Sequence, residues 1–131
     1  MYKPISLLLL GIVLSLSIGC AWFTRQASPS AGTGPAGATL TIGADGAIAP
    51  KTVTIRPGQV VQFVNKDSKE HLMFSNPHPV HSDCRPINAV GKLLPGESRN
   101  TANFEDVKTC AFHDHSDARN TALHGSITVA N

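Results

Sequence analysis

The sequence predicts an all-β sandwich made of short strands. Apolar residues alternate with polar ones over short stretches, and turn signals recur about every ten residues, which is typical of this fold class. Residues 97–107 (ESRNTANFEDV) are the one candidate for a short helix, and they lack the apolar stripe that a packed helix needs. The sequence therefore predicts strands along nearly the whole domain.

Two strands are predicted within residues 51–67, separated by a turn at Pro57 and Gly58. Proline presets φ for such a turn, and glycine tolerates positive φ. A second Pro-Gly turn follows at residues 95–96. Further strands are predicted at ATLTIG (38–43), EHLMFS (70–75), VKTCAFH (107–113) and HGSITVA (124–130). Residues 76–92 are too rich in Pro, Asn and Gly for a strand, so we expect a long loop of the kind that often carries function.

The first nineteen residues have the pattern of a secretory leader, with Lys3 followed by an apolar run. Gly19 and Cys20 resemble a bacterial lipobox, in which the cysteine is lipidated, although Ser17 replaces the usual leucine. A cleaved signal peptide or an uncleaved anchor therefore stays open. Residues 20–37 are rich in Ser, Gly, Pro and Ala and are expected to form a flexible tether, with the folded domain at 38–131. This organisation predicts an exported protein, periplasmic or at the cell surface, attached to a membrane.

The charge balance of the chain argues against one class of partner. The chain has 11 Lys and Arg against 9 Asp and Glu, with no basic run, so nucleic acid is not an expected partner.

Cys84 and Cys110 are the two cysteines of the predicted domain. Outside the cytosol they are free to form a disulfide, which would stabilise the fold by about 3 kcal/mol. The alternative is that Cys110 is a thiolate metal ligand.

Five of the six histidines lie in two short windows, which points to a metal site. His113 and His115 are two residues apart, so in an extended strand they lie on the same side, about 7 Å apart at Cα. We expect both to bind one metal ion together with His71 from another strand. His81 or His78, from the long loop, would supply a fourth ligand.

Three neighbouring residues are weaker candidates for the metal site. Asp114 should point away from His113 and His115 and either support a histidine or face solvent. Met73 is expected in the core, and His124 is expected outside the ligand set.

From Thr39 to Val129 the sequence resembles the cupredoxins, the family of plastocyanin and azurin. PKTVTIRPGQVVQFVNKDSKEH is similar to the family's run of strand, Pro-Gly turn, strand and histidine ligand. LLPGES is similar to a later turn, and CAFHDH…LHGSITV to the ligand loop and last strand, with Gly125 at the family's glycine. The resemblance implies a Greek-key β-sandwich that binds copper at one end.

Two alignments of the ligand loop are open. In the first, Cys110 and His113 have the spacing of a blue-copper site, although the stretch to Gly125 is long and contains no Met. In the second, FHDH overlies the loop, Asp114 takes the place of the thiolate, and Cys110 bonds Cys84. We favour the second, which resembles a divergent secreted branch with DPHPxH-like and YHDH-like motifs, present here as NPHPVH and FHDH.

These features predict a membrane-tethered extracytoplasmic copper-binding protein that captures, buffers or hands over copper to a protein partner. The main alternative is a type 1 blue-copper electron carrier that uses Cys110. An enzyme similar to copper-zinc superoxide dismutase would share the sandwich, the H-x-H pair and a disulfide. Its pair would lie too near the C-terminus here to gather enough further ligands. A metal-free interaction module using the long loop is the remaining alternative.

Overall fold

The computed structural model describes residues 30–131. The expected leader, Cys20 and residues 20–29 of the expected tether lie outside the described residues. Within residues 30–131, no helix has the length and apolar character needed to cross a membrane.

The described residues form two sheets packed face to face. The first has the strand order β2-β1-β4-β7 and the second β3-β9-β8-β5-β6. Pairs β1–β4 and β3–β9 are parallel and the other neighbours are antiparallel. The strands are β1 (Ala36–Ile42), β2 (Ile48–Ala49), β3 (Thr52–Ile55), β4 (Val60–Asn65), β5 (His71–Ser75), β6 (Gly91–Leu93), β7 (Ser98–Asn100), β8 (Thr109–Asp114) and β9 (Gly125–Val129). One helical turn, α1 (Arg85–Asn88), and two 3-10 turns (His115–Asp117 and Thr121–Leu123) complete the chain.

The core lies between the two sheets and follows the alternation of the strands. In β5 the buried residues, among them Met73, recur at every second position. In β8 the same alternation buries Cys110 and Phe112, and the strand ends in two further buried residues, His113 and Asp114. The rings of Phe63 and Phe112, from opposite sheets, meet edge to face with centroids 5.3 Å apart. Such aromatic pairs add to the free energy gained by burying apolar surface. The predicted β-sandwich is confirmed.

Three local predictions differ from the structure. Residues 97–107 are not helical, because Ser98–Asn100 pairs with β4 as the edge strand β7. The predicted loop instead contains α1, which has Pro86 in its first turn and buries Ile87. Strand β1 begins at Ala36, inside the expected tether, and the Gly32 amide donates to the Thr101 carbonyl at 2.8 Å.

Cys84 and Cys110 form a disulfide, as predicted, with their Cα atoms 5.7 Å apart. Cys84 ends the segment 76–84 that follows β5, and Cys110 lies in β8. Both cysteines are buried. The bridge therefore fastens the loop that carries two histidines to the strand that leads to two others.

Candidate metal centre

Four histidines converge at one end of the five-stranded sheet. One ring nitrogen from each lies within 4.8 Å of the others, and the group consists of His78, His81, His113 and His115. The fold brings them together because β5 and β8 are antiparallel neighbours, with Phe74 beside His113 in the register. The loop after β5, the end of β8 and the turn that follows β8 therefore bring their histidines into one place.

His113 is buried and held by a single hydrogen bond. Its Nδ1 lies 2.7 Å from Asn76 Oδ1, and because an amide oxygen only accepts, Nδ1 carries the proton. The other nitrogen, Nε2, then has a free lone pair, and it is buried without a hydrogen-bond partner among residues 30–131. Such an unpaired buried atom costs about 1–3 kcal/mol, so this position fits a metal ligand.

The surroundings of His113 keep its ring neutral. Burial and then the neighbouring charges of His81, His78, His124 and His115 lower the pKa of His113 from 6.5 to about 4. A metal ion binds the neutral imidazole. The ring is therefore in its ligating form at neutral pH.

His81 and His115 face each other across the site. His81 Nδ1 donates to the Ser75 carbonyl at 2.8 Å, which leaves Nε2 as an acceptor. This Nε2 lies 2.8 Å from His115 Nδ1, so His115 supplies the proton between them. Two nitrogens that each lie about 2.0 Å from one metal ion at a right angle are about 2.8 Å apart. A metal ion can therefore bind both nitrogens after a small shift of the rings, when the proton of His115 lies on Nε2 instead of Nδ1.

The backbone of the loop is fixed at His81 in an uncommon conformation. Its φ is 54°, in the left-handed region that non-glycine residues rarely adopt and that often occurs at functional sites. The His81 amide donates to the Pro77 carbonyl at 2.7 Å. Asn88 of α1 donates to the His81 carbonyl at 2.8 Å and accepts from the Ser75 amide at 2.9 Å. Asn88 therefore ties the loop to β5.

Phe74 packs against the site on the sheet side. Its ring stacks on His81 with centroids 4.7 Å apart and meets the edge of His115 at 5.8 Å. His78 is the exposed member of the group, and its ring centroid is 4.8 Å from that of His115. The site is thus shielded by Phe74 and open to solvent at His78.

His71 was predicted as a ligand, and the structure places it outside this group. Its Nδ1 lies 2.7 Å from Asp114 Oδ2 and its Nε2 lies 3.2 Å from Asp67 Oδ2. The reason is strand alternation: His71 and Met73 are buried on the core face of β5, whereas Phe74 and the metal candidates lie on the other face. Both ring nitrogens of His71 are engaged by carboxylates and are not aimed at the four-histidine group.

Two carboxylates flank His71. Asp114 is buried on the core face, opposite to His113, and supports a histidine as the alternation predicts. At Asp67, burial raises the pKa, but hydrogen bonds from the Ser68 amide and from His71 outweigh it, so the pKa is lowered. Asp67 is therefore a carboxylate at neutral pH.

The remaining candidates also lie outside the ligand group. Met73 is fully buried in the core, as predicted. His124 places Nε2 3.0 Å from the Ala118 carbonyl, and its ring centroid is 6.1 Å from that of His113. Cys110 is bonded to Cys84 and lies on the core face, so the alignment that makes it a thiolate ligand is wrong. The converging donors are all imidazoles.

Sequence reasoning missed two asparagines that orient the histidines. Asn76 holds the His113 ring, and Asn88 holds the His81 backbone. Both lie in the segment that was predicted as an irregular loop. An amide side chain in such a segment offers a donor and an acceptor, but the sequence does not say which groups it meets.

Comparison with known proteins places this geometry in a familiar fold. No family model matches the chain, and a search of curated proteins finds no match. Among solved structures, a purple cupredoxin from Nitrosopumilus maritimus is similar with 21% identity and a TM-score of 0.53, covering 71% of this chain and 99% of that one. The oxidised plastocyanin of Dryopteris crassirhizoma has 18% identity and a TM-score of 0.54, with 70% and 99% covered.

A larger protein contains the same fold as a part. A copper-containing nitrite reductase from Thermus scotoductus has 20% identity and a TM-score of 0.53, and the match covers 74% of this chain but 22% of the reductase. At these identities the likeness concerns the fold. The two packed sheets and their matches to cupredoxin structures show that this chain has the cupredoxin fold.

Proposed function

We propose that the chain is an exported copper-binding protein that holds one copper ion through His78, His81, His113 and His115. The observation that carries the proposal is the buried, unpartnered Nε2 of His113, in a ring that belongs to the group of four imidazoles whose ligand nitrogens lie within 4.8 Å of one another. A buried lone pair that meets no donor among residues 30–131 is costly unless a ligand occupies the site.

The donor set supports copper as the metal. Imidazole suits copper and zinc, and copper stands highest in the affinity order of divalent first-row metals. The fold resemblance points the same way, since the similar proteins include a purple cupredoxin and a copper-containing nitrite reductase. With Cys110 in a disulfide, the donors favour Cu(II) in a tetragonal field over the thiolate site of an electron carrier.

The chain's own residues prepare the site for the ion. Asn76 and the Ser75 carbonyl each fix one ring nitrogen, so that Nε2 of His113 and of His81 is free to bind. For His115 to bind through Nδ1, its proton must move to Nε2 of the same ring. Binding should depend on pH because protons compete with the metal for the imidazoles. Bound copper would supply a Lewis-acidic centre that also exchanges one electron.

We assign the site to copper capture, buffering or handover to a protein partner, and not to catalysis. The exposure of His78 supports handover, because an incoming ligand from a partner can replace an exposed imidazole more easily than a buried one. Attachment to a membrane through Cys20, with the stretch before the domain as tether, belongs to the same proposal.

The test is a Cu(II) titration of the mature protein against a competing chelator. We expect one copper per chain in the wild type and a large loss of affinity in His113→Ala and His115→Ala. His124→Ala is the matched control, because His124 adjoins the group without belonging to it. Equal affinities across the wild type and all three variants would contradict the proposal.

A further inference from the structure

The carboxylate of Asp114, at the end of β8, bonds two other parts of the chain. Its Oδ2 is 2.7 Å from His71 Nδ1, and its Oδ1 accepts from the Leu72 amide at 3.2 Å and from the Ser116 amide at 2.8 Å. Asp114 is 2% exposed. This buried side chain therefore connects the first residues of β5 to the 3-10 turn that begins at His115.

We propose that His71 is a positioning residue of the metal site and acts through Asp114, not as a ligand. This inference rests on the proposed function, because it concerns the orientation of the same four histidines. His71 is the one side chain that donates to Asp114, whose other partners are backbone amides, among the bonds formed within residues 30–131.

The effect of His71 on Asp114 is electrostatic. Asp114 and Asp67 are both buried carboxylates, and the ring of His71 lies between them. A buried carboxylate is stable only when it is paired and hydrogen-bonded. A His71 side chain without donors would leave Asp114 with backbone amides alone, and we expect its carboxylate to shift.

The effect of Asp114 on the metal site is geometric. Asp114 caps the 3-10 turn through the Ser116 amide, and that turn directs His115 toward His81. The 2.8 Å separation between His115 Nδ1 and His81 Nε2 depends on this turn. On the other side of Asp114, strand alternation keeps the His113 ring on the face opposite to the carboxylate. A displaced Asp114 would thus misplace two ligands together.

The test compares Cu(II) binding by the wild type, His71→Phe and Asp114→Ala. Phe keeps a ring but has no donor. Loss of a group that orients metal ligands typically lowers affinity about 10–100-fold, and we expect this loss in both single variants. The double variant should bind no more weakly than Asp114→Ala, because both changes break the same link. At saturating copper, the nitrogen coupling in the EPR spectrum of His71→Phe should match the wild type.

Further variants separate this role from a general loss of stability. His71→Gln, whose amide can still donate to Asp114, should recover most of the lost affinity. Thr101→Val removes a buried hydrogen bond of 3.0 Å to the Val61 amide in the other sheet, and it should lower stability while copper affinity stays unchanged. If His71→Phe does not fold, Asp114→Ala serves instead, because it removes the side chain that His71 bonds, and the same weakening is expected.

Several results would overturn the inference without touching the proposed function. These are an unchanged affinity in His71→Phe or Asp114→Ala, an equal loss in Thr101→Val, or no recovery in His71→Gln. The disappearance of a nitrogen from the EPR spectrum of His71→Phe would identify His71 as a ligand and would also overturn it. Failure of the proposed function is a different result, in which the wild type does not bind copper or His113→Ala binds as well as the wild type.

Discussion

The Nε2 atom of His81 lies 2.8 Å from the Nδ1 atom of His115, although 34 residues separate them along the chain. Neither element alone produces this pair. His81 depends on the left-handed backbone of its loop, and His115 depends on the turn that follows β8. The pairing of β5 with β8 and the disulfide hold the two elements together.

Replacement of Asn76 by Ala should weaken copper binding although Asn76 is not proposed as a ligand. The substitution removes the acceptor for His113 Nδ1, so that the ring can turn or change its tautomer. We expect affinity to fall about 10–100-fold. Chelator competition measures the change. Asn103→Ala, which removes a bond to the Gly34 amide far along the chain, is the control and should bind as the wild type does.

The metal-free protein should lose stability as the pH falls from 6.5 toward 4. The pKa of His113 is lowered from 6.5 to about 4 by burial and by the nearby histidines. Across this window the unfolded chain takes up a proton that the folded protein does not, so the loss of unfolding free energy grows as pH falls and levels off below the folded pKa. We expect His113 to account for about 1–3 kcal/mol of it.

Urea unfolding of the metal-free protein at several pH values measures this effect. His113→Gln, which cannot be protonated, should show a smaller loss of unfolding free energy between pH 6.5 and 4. Identical pH profiles for the wild type and His113→Gln would mean that the His113 ring is not held neutral by the fold.

Removal of the disulfide should destabilise the fold and loosen the metal site. A Cys84→Ser/Cys110→Ser variant should lose about 3 kcal/mol of unfolding free energy in the chain-entropy model. Its copper spectrum should keep the wild-type shape, because neither sulfur is a proposed ligand, while its affinity falls as the loop is released from β8. A change in the shape of the spectrum would instead connect Cys110 to the metal.

Most of the fold could be predicted from the sequence, because the alternation of apolar residues and the turn residues match the strands and turns of the structure. Alternation located β4, β5 and β9, and the turn glycines Gly58 and Gly96 have positive φ, as a Pro-Gly turn requires. The edge strand β7 was missed because its three residues are all polar, two of them exposed and one half-buried, and show no apolar alternation. Its strand state depends on pairing with β4 and not on its own pattern.

The metal candidates were found by spacing, and the error at His71 has a physical explanation. His113, His115, His78 and His81 lie in compact motifs whose convergence needs only one strand pair. His71 shares a face with Met73, and placing Met73 in the core also places His71 there. Asn76 and Asn88 act through hydrogen bonds to a ring nitrogen and to a backbone carbonyl. No local sequence pattern predicts these bonds.

The EPR and visible spectra of the copper-loaded protein test the central claim most directly. Four imidazoles and no thiolate predict a pale protein with a wide copper hyperfine splitting and coupling to imidazole nitrogens, and His113→Ala should lose or alter this signal. An intense visible charge-transfer band with narrow splitting, or a His113→Ala spectrum identical to the wild type, would contradict a copper site built from His78, His81, His113 and His115.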